Sequence, residues 1–348
     1  MREKVLSFLQ KEVELGNIPG AAIYISHRGE CLLEESVGYR ILGPGQEPAS
    51  ISTVYDLASI TKVAATLPSI LRLIDDGALR LEDPLFLFIP EFGRGGKETI
   101  TIRHLLTHTS GLPAHRRFYE GGMKTEQIIA QICNEELASS PGEKVVYSDL
   151  GMIMLYAAVE RITGQPFQDY VREEFFEPME MTETGFNLPF EKSRFAATEY
   201  SERLGEIRQG VVHDGNAETM SGISGHAGLF STVRDMAKFA EMVEGGGLFR
   251  GKRILSQAAL EMSRQNETPG AFESRGLGWS LKSPGVLSCG DLFSSSSYGH
   301  TGYTGTSIWF DPDKELHVIL LTHRVHAPHQ EAILRLRPRL HNLICAQL

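Results

Sequence analysis

Cysteine is scarce in this chain. There are four in 348 residues, at positions 31, 133, 289 and 345, and no two form a Cys-x-x-Cys pair. That spacing indicates neither a disulfide framework nor a thiolate metal site, and it reads as buried free thiols. Long apolar runs are missing too. No stretch approaches the ~18 consecutive apolar residues of a membrane-spanning helix, so none is expected. Positive charge is short: 34 Lys and Arg stand against 44 Asp and Glu, a net charge of -10. With no Lys/Arg cluster to offset it, this balance argues against a nucleic-acid surface. The N-terminus, Met1 to Glu12, carries charges throughout. It lacks the apolar core and small-residue cleavage site of a signal peptide, so the sequence as it stands reads as cytoplasmic. There is no internal repeat and no low-complexity tract.

What is present is ordinary for a globular chain: 41% hydrophobic and 22% charged residues, enough for two domains or for one large domain with an insertion. The order of elements favours the insertion. Residues 3 to 15 read as a helix ending near Gly16. Ala21 to Ser26 is a strand, His27 to Glu30 a turn, and Cys31 to Tyr39 the returning strand. From Ser59 to about 210 the pattern is mainly helical. Leu81 to Pro84 starts a short segment, and Thr101 to Leu106, Thr125 to Leu137 and Phe167 to Phe176 read as helices. The apolar run Leu150 to Val159 reads as a buried helix capped by Ser148 or Asp149. Thr232 opens a capping box for a helix to about Val243, which Gly245-Gly246-Gly247 ends. Strands then return at Gly276 to Leu281, Thr306 to Phe310 and His317 to Thr322, with a turn at Asp311 to Lys314. An apolar helix closes the chain near Glu331 to Ala346. Strands at both ends and helices between them predict a discontinuous α/β sheet domain (1–60 and 220–348), split by a mainly helical domain (61–219).

The chemistry centres on Tyr55-Asp56-Leu57-Ala58-Ser59-Ile60-Thr61-Lys62, followed by apolar residues at helical spacing as far as Gly77. Ser59 falls in the first helical turn, beside free N–H groups and the positive end of the helix. Lys62 lies one turn on, on the same face. Desolvated, such a lysine loses its charge and takes the serine's proton. A helix-capping serine followed by a surface lysine has the same spelling, so other stretches must decide. Tyr147-Ser148-Asp149 precedes the buried helix. A phenol beside a lysine is drawn toward phenolate, which makes Tyr147 a general base and acid; the plainer reading is packing, with Asp149 as a cap. Tyr298-Gly299-His300-Thr301-Gly302-Tyr303-Thr304-Gly305 leads into an apolar strand. Its glycines allow close backbone approach, and His300 offers a hydrogen bond or a charge; the plainer reading is a glycine-rich turn. His213, Asp214, Asn216 and His226 lie close in sequence, but without metal-ligand spacing they suit a structural loop, and no metal is expected. Asp75-Asp76, Glu135-Glu136 and Glu173-Glu174 read as solvated helix faces. No glycosidase carboxylate pair is indicated.

Taken together, Ser59-Ile60-Thr61-Lys62, Tyr147-Ser148-Asp149 and His300-Thr301-Gly302 resemble, in order and spacing, three motifs of the serine β-lactamase and penicillin-binding-protein superfamily, in its class C-like branch. Leu105 to Leu112 and Gly222 to Thr232 also look like this branch, so the resemblance spans nearly the whole chain. It implies a β-lactamase/transpeptidase-like fold: an antiparallel sheet flanked by helices, a mainly helical domain, and the site in the cleft between them. It implies that Ser59 attacks an ester or amide carbonyl to form an acyl-enzyme, and that Lys62 and Tyr147 share the proton traffic. The backbone N–H groups of Ser59 and Tyr303 would form the oxyanion hole. Asp149, His300, Thr301 and Gly302 would hold substrate, with no metal or organic cofactor. Two departures stand out. The family's second motif usually ends in Asn, where this chain has Asp149; its third usually begins with Lys, where this chain has His300. Both make the site less positive, and with them efficient β-lactam hydrolysis is not expected. The expected substrate is a small ester, amide or peptide. The alternatives are a muropeptide amidase or D-amino-acid peptidase, and a penicillin-binding-like module without turnover. Loops Ala114 to Gly122 and Gly285 to Tyr298 are expected to line the cleft and set preference; the second, rich in glycine and serine, is a mobile cover by composition.

Overall fold

The fold is that of a computed structural model, which describes residues 1–43, 45–286 and 288–348. Seven antiparallel strands form its frame. Their order across the sheet is Ser280–Leu281, Tyr298–Thr301, Ser307–Asp311, Leu316–Thr322, Gly20–His27, Glu30–Ile41 and Glu47–Pro48. The first hairpin therefore pairs directly with the last: Ile23 lies opposite Leu320, and Ile25 opposite Val318. Side chains alternate between the two faces of a strand. Ala21, Ile23, Ile25, Val318 and Leu320 point to one face, where the helices Arg2–Glu14 and Ala332–Cys345 cover them. Ala22, Ile319 and Leu321 point to the other face, into a larger core.

That larger core joins the sheet to the helical stretch. It holds Leu71, Leu105, Met154 and Phe239 in one cluster with Ala22 and Ile319. The Asp149–Thr163 helix runs through it with ten consecutive buried residues, Leu150 to Val159. A helix apolar all round must be buried all round. Helix Val233–Glu244 packs on the inner strands Gly20–His27 and Leu316–Thr322. A three-stranded ribbon, with Leu229–Ser231 between Tyr55–Asp56 and Gly185–Phe186, ties the Ser59 segment to the far end of the helical stretch. Among the described residues no helix is long and apolar enough to cross a membrane. All four cysteines are free.

Most expected elements lie where the residue pattern puts them, and the differences have identifiable causes. The Ser59 helix is regular only over Leu67–Asp75. Before it come a single 3-10 turn, Ala58–Ile60, and a π-helical turn, Lys62–Thr66. Pro68 lacks an N–H for the ladder, and Ala58 sits in left-handed backbone, φ +47°. Such irregular turns concentrate at functional sites. The expected strand Gly276 to Leu281 is reduced to Ser280–Leu281. The capping box at Thr232 is half formed: Thr232 accepts from the Asp235 N–H, but the Asp235 carboxylate binds the Glu183 N–H and the Thr184 hydroxyl instead. Ser148, not Asp149, caps the buried helix. The acidic pairs are not all solvated faces. Asp75 accepts from the backbone and hydroxyl of Ser256, Glu135 pairs with Arg116, and Glu174 with Arg72.

Candidate active site

The Ser59 turn is fixed from three sides before any substrate arrives. The Ala58 N–H donates to buried Asp56 at 2.8 Å, and the other oxygen of Asp56 accepts from the His213 N–H at 2.7 Å. The Thr304 hydroxyl donates to the Asp56 carbonyl at 2.7 Å, and the Thr306 hydroxyl to that of Leu57 at 3.0 Å. The loop carrying Gly302 and Tyr303 is thus bolted to the segment carrying Ser59. Gly302 is required there, because a Cβ would overlap Thr306 Oγ1 and Leu57 O. Among the described residues the backbone N–H groups of Ser59 and Tyr303 donate to no acceptor. Both residues line one cavity of about 960 Å³.

Lys62 is wholly buried, and its ammonium is saturated. Its Nζ lies 3.0 Å from Ser59 Oγ, 2.9 Å from the His226 carbonyl and 2.8 Å from Asp149 Oδ1. Three N–H bonds meet three acceptors. Burial works against this charge, but Asp149 and the Tyr147 phenol outweigh it and hold Lys62 above the ordinary lysine value. Burial likewise works against an ionised Asp149, but Lys62, His115 and His226 keep its carboxyl well below the usual range. His115 bonds its second oxygen at 3.3 Å, and that bond raises the His115 imidazole. The ion pair is therefore charged on both sides. The sequence expectation of Lys62 as a neutral base meets a lysine that already donates to the serine it would deprotonate.

Tyr147 stands between two cations. The Lys62 Nζ lies 4.9 Å from its ring centroid, and the Arg275 guanidinium 5.3 Å. The His108 ring leans on it at 4.6 Å, and that of His300 at 6.0 Å. His300 is 3% exposed, packs against the Tyr147 ring and is absent from the lining of the Ser59 cavity. Its Nδ1 pairs with the Thr301 carbonyl at 2.9 Å, and its Nε2 is buried with no partner. Burial, then Lys62 and Arg275, push it down to about 3. A neutral ring donating from Nδ1 presents a bare lone pair at Nε2, so His300 supplies no positive charge in place of the lysine the third motif lacks. Thr301 is partly exposed, and Gly302 is buried.

The structure also gathers residues that the motifs did not single out. Asp214 and His226 line the same cavity as Ser59, joined at 2.8 Å, and a ring nitrogen, a carboxylate oxygen and an Asp149 oxygen lie within 4.8 Å of one another. His226 Nδ1 is occupied by Ser224, Asp214 also caps the helix Gly215–Thr219, and Asp149 is held by Lys62. Hydrogen bonds thus occupy this donor set. The proximity of His213, Asp214 and His226 in sequence was the available signal. Arg275 had none, since nothing near it in sequence marks a buried arginine. Of the two loops expected to line the cleft, the first contributes His115, Tyr119 and Gly122. The second is placed elsewhere. Its described residues are absent from the cavity wall, and Asp291 and Leu292 are tied by their N–H groups to Asn342 of the C-terminal helix. Leu287 of that loop lies outside the described residues.

An antiparallel sheet covered on one face by both terminal helices and joined through its other face to a helical stretch, with Ser59 and Lys62 at the junction, defines a β-lactamase/transpeptidase-like fold. The chain belongs to the β-lactamase family, a family of serine hydrolases, whose model matches residues 7–342. It is 30% identical to the N-acetylmuramyl-L-alanine amidase of Bacillus subtilis (strain 168), over 93% of this chain and 81% of that protein. It is 32% identical to a protein of Escherichia coli (strain K12) named "Putative D-alanyl-D-alanine carboxypeptidase", over 80% of this chain and 71% of that one. The octameric penicillin-binding protein homologue from Pyrococcus abyssi superposes with a TM-score of 0.77 at 25% identity, covering 99% of this chain and 77% of that chain.

Proposed function

We propose that this protein hydrolyses an ester or amide bond of a small acyl or peptide substrate through an acyl-enzyme on Ser59. One observation carries the reading: a buried Lys62 ammonium donates to Ser59 Oγ while Ser59 and Tyr147 face one cavity. Ser59 Oγ accepts that bond, so its own proton is free to leave toward another acceptor. Tyr147, flanked by Lys62 and Arg275, is the base that receives it. The Ser59 Oγ–C bond forms, the carbonyl electron pair moves to oxygen, and the Ser59 and Tyr303 N–H groups bind that oxyanion. Collapse breaks the bond to the leaving group, which takes the proton back from Tyr147. Water repeats the sequence to release the acid. Asp149 keeps Lys62 charged throughout.

The relatives named above favour peptides of cell-wall chemistry, with D-amino acids or muramyl groups, as the substrate class. Poor β-lactam turnover follows from the neutral, buried His300, which leaves no exposed cation where the family has lysine. The test is a paired rate assay of wild type and Ser59→Ala on a short-chain nitrophenyl ester, a D-alanyl-D-alanine peptide and a chromogenic cephalosporin. The reading expects turnover of ester or peptide to be lost in the variant, with little cephalosporin turnover in either. Full ester turnover by Ser59→Ala removes Ser59 as nucleophile.

A further inference from the structure

Arg337 is a buried cation that this chemistry leaves unused. It sits in the C-terminal helix, 4% exposed, and among the described residues no carboxylate lies within 4 Å of it. Burial, with Arg324 nearby, pushes it down to about 9. An unpaired buried charge is unfavourable unless something else holds it there. What holds it is the loop that carries Tyr303. Arg337 Nη2 donates to the Thr306 carbonyl at 3.0 Å and to the Gly302 carbonyl at 3.3 Å.

The Gly302 carbonyl and the Tyr303 N–H belong to one peptide unit. In a trans peptide the two point in opposite directions. Arg337 therefore grips the oxygen side of an amide whose N–H, on the opposite side, is unbonded among the described residues and belongs to a residue lining the Ser59 cavity. A charge-assisted bond to the oxygen draws electron density from the nitrogen, and hydrogen bonds polarise one another along such a chain. The next carbonyl is held in the same way: Arg324 Nε donates to Tyr303 O at 2.6 Å, and its guanidinium lies 4.6 Å from the Tyr303 ring centroid. His213 also stacks on that ring, at 5.6 Å.

We infer that Arg337 is a positioning residue of the oxyanion hole: through the Gly302–Tyr303 peptide it aims and strengthens the N–H that binds the developing oxyanion, without touching substrate. The inference rests on the acyl-enzyme reading above. It places a cation behind the hole, on the scaffold side, in a site that has lost one from its third motif.

The experiment compares wild type with Arg337→Met, Arg337→Gln and Arg337→Lys on a nitrophenyl ester. It also records the infrared carbonyl band of an isotope-labelled acyl-enzyme trapped on Ser59. Removing a whole oxyanion donor costs about 10²–10³-fold in kcat. Weakening one is expected to cost about 10- to 50-fold, with KM nearly unchanged and the acyl carbonyl band moved to higher frequency. Arg337→Gln should fall between Met and wild type, and Arg337→Lys should recover most of both readouts. Should Arg337→Met fail to fold, the Gln and Lys variants carry the comparison. An unmoved band and unchanged kcat in folded variants overturn the inference while leaving the acyl-enzyme intact. A rate loss that follows thermal stability equally in Lys and Gln does the same. If wild type forms no acyl-enzyme on Ser59, the reading above fails and this inference falls with it.

Discussion

Asp149 Oδ1 lies 2.8 Å from Lys62 Nζ, closer than the serine that Lys62 also contacts. The ion pair leaves Lys62 without a free lone pair to take the serine's proton. In the proposed mechanism, a lysine held as ammonium by a part-buried carboxylate supports the base electrostatically and leaves the transfer to Tyr147.

Asp149→Asn tests this pairing directly. Asparagine keeps the shape and a hydrogen-bond acceptor but removes the charge that favours ammonium. The limb of the pH–rate profile that belongs to Lys62 should move to lower pH by at least about one unit, since one unit corresponds to only ~1.4 kcal/mol of interaction. A profile superimposable on wild type contradicts the pairing. Asp149→Ala should also destabilise the fold, by roughly 3–5 kcal/mol, because it strands a buried ammonium; denaturant midpoints measure that loss.

Tyr147→Phe should retain the ring that packs between Lys62, Arg275 and His108 and lose only the phenol oxygen. Removing a general base costs typically 10²–10⁴-fold. The expected result is a fall of that size in kcat for the ester, with thermal stability close to wild type. A variant within threefold of wild type points the proton elsewhere.

Buried histidines set the response to acid. His300, His323 and His341 are each pushed down to about 3 by burial, and His108 well below its ordinary value. The folded protein keeps them neutral, while the unfolded chain protonates them near 6.5. Between these values the unfolded state binds more protons, so stability falls as the pH drops from about 6.5 toward 3. The lowered Asp149 acts in the same direction at the acid end. His323→Gln combined with His341→Gln should flatten the slope of unfolding free energy against pH, by up to about 1.4 kcal/mol per pH unit for each histidine removed. An unchanged slope in the double variant rules out this origin.

Gly302→Ala should be more harmful than an ordinary glycine substitution. The added methyl meets Thr306 Oγ1 and Leu57 O, which form one of the bonds that join the Tyr303 loop to the Ser59 segment. The variant is expected to fold with lowered stability and to lose kcat more than KM. Loss of KM alone would separate the loop from the chemistry.

The framework was legible because alternation and helical spacing report burial directly. Ile23, Ile25, Val318 and Leu320 announce two strands that share a face, and Leu150 to Val159 announce a buried helix. The three motifs were legible as short local patterns. Contacts across the fold were not. Arg275 and Arg337 reach Tyr147 and Gly302 from elsewhere in the chain, and an arginine carries no local mark of burial. Sequence shows that position 300 is a histidine able to donate to substrate, but not which tautomer it holds. Its Nδ1 bond to Thr301 O and its burial appear only when the chain is folded. Composition also marks the Gly285 to Tyr298 loop as a flexible cleft lining, whereas the N–H groups of Asp291 and Leu292 are tied to Asn342 of the C-terminal helix and the loop's described residues are absent from the cavity wall.

The acyl-enzyme is tested by intact-protein mass spectrometry during turnover of an activated ester, followed by peptide mapping, with wild type and Ser59→Ala in parallel. Acyl-enzyme chemistry on Ser59 requires a transient mass increase equal to one acyl group, located on Ser59 in wild type and absent from Ser59→Ala, decaying at the rate of steady-state hydrolysis. Hydrolysis with no acyl adduct on Ser59, or an equal adduct in both proteins, would contradict it.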